Sequence, residues 1–169
     1  MSEQAGANAI DTNTMSIIVT KGSLDWAYPP FILSTTAAAM GLDVTLFFTF
    51  YGLPLLLKKM DLKVTPLGNA AMKMPMAGAH MVMPNLVAAI PGVDAMASKM
   101  MKNLIKKNGV ATIEELRELA VEADVRMIGC QMTMDLFDYQ LEDMIEGIEV
   151  GGAATYIEVA TQSHINLFI

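Results

Sequence analysis

From Trp26 to Leu57 the chain carries one charged side chain, Asp43. A stretch so apolar has to leave water, either across a membrane or inside a layered fold. Its punctuation favours the fold. Pro29-Pro30, Gly41-Leu-Asp43 and Gly52-Leu-Pro54 cut it into pieces shorter than the roughly 20 residues a spanning helix needs. Those pieces read as a helix, a strand and a second short helix of a buried core.

The strand signal is strongest at Ile17-Ile-Val19 and at Val44 to Phe50. The first is continuous and β-branched, as in a strand covered on both faces, and the second is rich in aliphatic and aromatic residues. The first strand is expected from Met15 to Thr20 and the second from Asp43 to Phe50. Between them a helix runs to Met40, with Ser23 as a cap and Pro29-Pro30 in its first turn. A short helix over Leu55 to Met60 and a brief strand at Val64-Thr-Pro66 follow. Ala95 to Lys107 is helical, with Met96, Met100, Leu104 and Ile105 on one face. Thr112-Ile-Glu-Glu115 is a capping box opening a helix with the stripe Ile113, Leu116, Leu119, Ala120 and Ala123. Val125 to Ile128 is a strand, Gln140 to Ile145 a short amphipathic piece, and Ile148-Glu-Val150 lies between glycines. A helix from Ala153 to Gln162 and a terminal strand from His164 to Ile169 close the chain. Strands alternating with helices predict a parallel sheet with helices on both faces.

Residues 1–14 are expected to be a flexible tail and residues 15–169 a single domain, with an irregular insert at about 67–94. In that insert Met72, Met74, Met76, Met81 and Met83 alternate with prolines and glycines, and neither period holds. Thioether metal binding there is a weaker reading than packing or an interface. A hydrophobic content of 53% suggests buried subunit interfaces. Residues 110–169 hold two basic and twelve acidic groups, which argues against nucleic acid as a partner. The cluster Lys99, Lys102, Lys106 and Lys107 reads as a solvated helix face. Met1-Ser-Glu-Gln-Ala lacks the basic n-region of a secretory signal, so a cytoplasmic location is expected and membrane association is not.

Chemistry has few candidates. Cys130 is the one cysteine, and His80 and His164 are the two histidines. Cys130 falls where the strand Val125–Ile128 gives way to a helix carrying Met132, Leu136 and Phe137. There the free N–H groups of a helix start stabilise a thiolate. Thr133 or Asp135 is a candidate cap, and Asp135 would oppose ionisation of the thiol. The alternative is a small, inert, buried side chain. No zinc-ligand spacing joins Cys130 to the histidines, and no Cys–His signature is present. The Gly-x-Gly-x-x-Gly and Walker patterns are absent, so neither a cofactor nor a metal is expected.

Several stretches resemble the DsrE/DsrF/DsrH-like sulfur-relay superfamily, in the DsrE-like subgroup that also carries a peroxiredoxin-family label. They are Ser23-Leu-Asp-Trp-Ala-Tyr-Pro-Pro-Phe31, Val44-Thr-Leu-Phe-Phe-Thr-Phe-Tyr-Gly-Leu53, Pro91-Gly92, Gly129-Cys-Gln-Met-Thr-Met-Asp135 and Gly151-Gly-Ala-Ala-Thr-Tyr156 with Leu167-Phe-Ile169. The resemblance implies a three-layer α/β/α fold with a mostly parallel sheet of about five strands, layered as in flavodoxin-like folds. It also implies trimers or higher homo-oligomers. Cys130 would be the catalytic residue, holding sulfane sulfur as a persulfide and exchanging it with a TusA-like carrier or another sulfur-relay protein. One departure is Asp138, where the family pattern carries glycine. A non-catalytic assembly subunit with a structural Cys130 is the competing function. A thiol peroxidase would need an external resolving thiol.

Overall fold

The computed structural model describes residues 11–67, 69, 73–76, 79–82 and 84–169. Five strands form one parallel sheet: β1 (Asp11–Val19), β2 (Asp43–Phe48), β5 (Arg126–Cys130), β6 (Glu149–Gly151) and β7 (Ser163–Phe168). Their spatial order is β6-β5-β2-β1-β7. This is the expected α/β class. The first strand begins at Asp11, ahead of the expected Met15. Because all five strands run the same way, their carboxyl ends share one edge, and Cys130 lies on it.

Alternation along β1 explains its unbroken apolar run. Met15, Ile17 and Val19 point into a core shared with Phe31 of helix α1 (Leu24–Ala39) and Ala120 of α4 (Ile113–Glu122). Ile18 points the other way, toward Tyr156 and Ala160 of α6 (Ala153–Gln162). The order follows from right-handed crossovers. Steps from β1 through β2 and β5 to β6 move one way across the sheet, while the return from β6 to β7 reverses it. The one reversed crossover, α6, therefore covers the opposite face.

Thr112 caps α4 as expected. Its hydroxyl accepts from the Glu115 N–H at 3.2 Å, and Glu115 Oε2 accepts from the Thr112 N–H at 2.7 Å. Thr112→Ala is expected to cost about 1 kcal/mol, read as a lower urea midpoint, with Thr112→Ser close to wild type.

Several expectations give way to tertiary contacts. The short helix expected over Leu55 to Met60 is instead a 3-10 helix over Phe50–Leu56, with Pro54 inside it. Its end is held by Arg117 of α4, buried, whose Nη1 donates to the carbonyls of Leu55 and Leu57 at 2.9 and 2.7 Å. Val64 is in no strand, because its N–H goes to Ser98 Oγ at 3.0 Å. Ser98 belongs to α3 (Val93–Lys107), which buries Ala97 and Ser98 and leaves Met96 exposed. Pro29 and Pro30 sit in the second turn of α1, not its first, and Ser23 makes no side-chain cap.

In the methionine-rich insert, β3 (Lys73–Met76) and β4 (Ala79–Val82) pair antiparallel as a separate ribbon, followed by the single turn α2 (Asn85–Ala88). Met72 and Met83 lie outside the described residues, as do the side chains of Met74, Met76, His80 and Met81. Among the described residues no helix is long and apolar enough to cross a membrane.

Candidate functional site

Cys130 ends β5 and is the N-cap residue of α5 (Gln131–Phe137), as the junction of strand and helix requires. Gly129 pairs with Phe48 and Cys130 with Gly151, which fixes the thiol between the ends of β2 and β6. Its side chain points to the α6 face, against Phe47, Ile128 and Tyr156. The Phe47 and Tyr156 rings lie 5.2 Å apart. Only 4% of the residue is exposed.

An anion there would be costly without donors, and donors converge on it. Burial pushes the thiol up. The Thr133 hydroxyl and N–H, the Thr49 hydroxyl and the Met132 N–H are the donors beside the sulfur; they outweigh that and hold it below its ordinary value of 9.0. Thr133 is fully buried. Its Oγ1 accepts from the Phe50 N–H at 3.1 Å and lies 3.2 Å from Thr49 Oγ1. With a lone pair committed to Phe50, the hydroxyl proton is left for the sulfur or for Thr49 Oγ1.

Phe50, whose N–H bonds Thr133, adopts φ +46°, a left-handed conformation that bulky residues rarely take. The strain is therefore stored beside the thiol. Thr49 and Phe50 were not singled out from sequence. The available signal was a polar residue ending an otherwise apolar strand, directly before a turn.

Two expected caps are corrected. Cys130 itself occupies the cap position, Thr133 faces the sulfur, and Asp135 accepts from Gln131 Nε2 at 2.7 Å on the exposed side. No carboxylate contributes to the shift at Cys130. Asp138 ends α5 at φ 56°, ψ 38°, a left-handed conformation that glycine adopts at less cost.

The lowered thiol carries a pH signature. Its contribution to stability is complete above 9.0 and is lost as pH falls through the lowered folded value. The difference in urea midpoint between wild type and Cys130→Ser is expected to widen in favour of wild type as pH rises toward 9. A difference independent of pH would show that the fold does not favour the anion.

The neighbouring surface is aromatic. Tyr51 stacks on Phe137 at 5.9 Å, Phe50 meets Tyr51 at 6.4 Å, and Phe137 meets Tyr139 at 6.3 Å. Met132 and Leu136 are exposed beside them. His164 is the second residue of β7, at the opposite edge of the sheet, and is exposed, so it is not brought to Cys130. The four lysines of α3 are exposed, as expected. Among the described residues no three His, Cys, Asp or Glu side chains gather as metal ligands.

The model of the DsrE/DsrF/DrsH-like family matches residues 11–168. The sulfur carrier protein DsrE2 of Allochromatium vinosum is 56% identical over 160 residues, covering 95% of this chain and all of that protein. The uncharacterized protein YrkE of Bacillus subtilis is 33% identical over 173 residues, covering 94% and 98%. The crystal structure of the ychN protein from E. coli superposes with a TM-score of 0.52 over 94% of this chain and all of that one. At 11% identity that likeness concerns the fold alone.

Proposed function

We propose, for a chain that belongs to the DsrE/DsrF/DrsH-like family, that it is a sulfur carrier whose working residue is Cys130. What supports this reading is the place of Cys130 at the junction of β5 and α5, with donors from Thr133, Thr49 and Met132 that lower the thiol. A cysteine that merely fills space gains nothing from them, whereas a nucleophile held as thiolate does.

In the forward step the Cys130 thiolate attacks the outer sulfur of a persulfide, R–S–SH. The old S–S bond breaks, R–S⁻ leaves with the electron pair, and Cys130–S–SH forms. An acceptor thiolate takes the outer sulfur by the same exchange, restoring the Cys130 thiolate. No net oxidant is needed. The acceptor is a TusA-like carrier or another sulfur-relay protein, and the aromatic surface formed by Tyr51 and Phe137 beside α5 is its docking surface. Assembly as a homotrimer or higher oligomer and a cytoplasmic setting belong to the same reading.

The burial of Cys130 favours a second reading, an assembly subunit with an inert thiol. Intact mass after incubation with polysulfide separates the two. Wild type is expected to gain roughly 32 Da, one sulfur atom, removable by reductant and absent in Cys130→Ser. No adduct, with a thiol that iodoacetamide reaches only after unfolding, would leave the assembly role standing.

A further inference from the structure

A cleft of about 860 Å³ opens over the carboxyl end of β1, and Cys130 does not line it. Its walls are the loop Lys21–Ser23, the first turns of α1 with Asp25 and Trp26, Tyr51 from the 3-10 helix, and Asn69. The volume falls within the range of small-molecule sites, and the carboxyl edge of a parallel sheet is where such sites form.

The backbone is built for it. A Cβ at Gly22 would lie 2.2 Å from the Tyr51 carbonyl oxygen, so only glycine lets the loop press against the opposite wall. Lys21 Nζ sits 3.3 Å from the centre of the Trp26 ring, which holds the ammonium at the rim. Asp25 presents the opposite charge, and its Oδ1 is buried without a hydrogen-bond partner. An unpaired carboxylate oxygen is a cost that rotation toward an incoming donor relieves. Among the described residues no ion pair joins Lys21 to Asp25 or either of them to a third group. The cleft thus offers one cation, one anion and two aromatic walls. A polyphosphate would meet Asp25 with like charge.

We propose that this cleft binds a small amino-acid-like zwitterion of up to about three residues. Its ammonium or amide N–H pairs with Asp25, its carboxylate with Lys21, and its chain lies along Trp26 and Tyr51. The inference does not depend on sulfur transfer.

Trp26 is the one tryptophan in the chain, so its emission reports occupancy. The probe is S-methylglutathione, which cannot exchange with Cys130, and succinate is the control lacking an ammonium. Wild type is expected to show a saturable emission change and a raised thermal midpoint with the probe and neither with succinate. Asp25→Asn and Lys21→Met, both folded by circular dichroism, are expected to raise the half-saturation concentration about ten-fold or more. No saturable change up to about 10 mM with no midpoint shift, an equal response to succinate, or variants titrating as wild type would each overturn the proposal.

Discussion

Thr133→Val is expected to slow the alkylation of Cys130 at neutral pH by about three- to ten-fold, the more basic thiolate partly offsetting its smaller fraction. Valine keeps the shape of threonine and removes its hydroxyl. Burial, which by itself raises the thiol, remains, while the side-chain donor on the sulfur is gone. One hydrogen bond to a charged group is worth about 1.5–3 kcal/mol, or about one to two pH units in the midpoint of the rate profile. The check is the rate of reaction with iodoacetamide as a function of pH. The midpoint should rise in Thr133→Val and return in Thr133→Ser, which restores the donor. Valine also strands the Phe50 N–H, so circular dichroism should accompany the rates. An unmoved midpoint in a folded Thr133→Val protein would mean that the hydroxyl does not set the ionisation of Cys130.

Gly52→Ala is expected to remove about 3–5 kcal/mol of stability, enough to empty the folded state of a marginal domain. The added Cβ would lie 2.2 Å from the Val19 carbonyl oxygen, 2.7 Å from its carbon and 3.2 Å from the Thr20 nitrogen. All three are backbone atoms at the end of a central strand. Val19 is paired with Phe48, and its carbonyl accepts from the Thr49 N–H at 3.0 Å. Nothing there yields cheaply. Gly41→Ala is the contrast: φ is +85° but nothing lies within 4 Å of the new atom, so only backbone strain of about 1 kcal/mol is expected. Urea midpoints of the two variants compare a steric clash with a conformational cost. Equal losses would show that the contact between the turn and β1 is soft.

The parallel sheet was legible because its central strands are buried on both faces, so Ile17-Ile-Val19 and Leu46-Phe-Phe48 are continuous apolar runs. The capping box at Thr112 and the span of α6 were local signals and needed no partner. The 3-10 helix at Phe50–Leu56 was not legible, because its end is set by Arg117, sixty residues and more away in the chain. Val64 was misread for a similar reason: its N–H finds a serine hydroxyl rather than a neighbouring strand. At the site, the position of Cys130 followed from the change of period around it. The role of Thr133 did not. Its spacing from Cys130 fits a cap, and its hydroxyl is instead engaged by Phe50 and Thr49, which come from the end of another strand.

The depth at which Cys130 lies has a chemical consequence. A thiolate exposed to solvent is open to peroxide, and the steps beyond sulfenic acid are not readily reversed. At 4% exposure the sulfur is largely covered by Phe47, Ile128 and Tyr156, which slows small reagents without barring them. Cover separates readiness from vulnerability: the donors hold the sulfur ready, while the packing lowers the rate at which peroxide meets it. Damage by peroxide should therefore rise with any change that loosens the α6 face, even one that leaves the donors untouched.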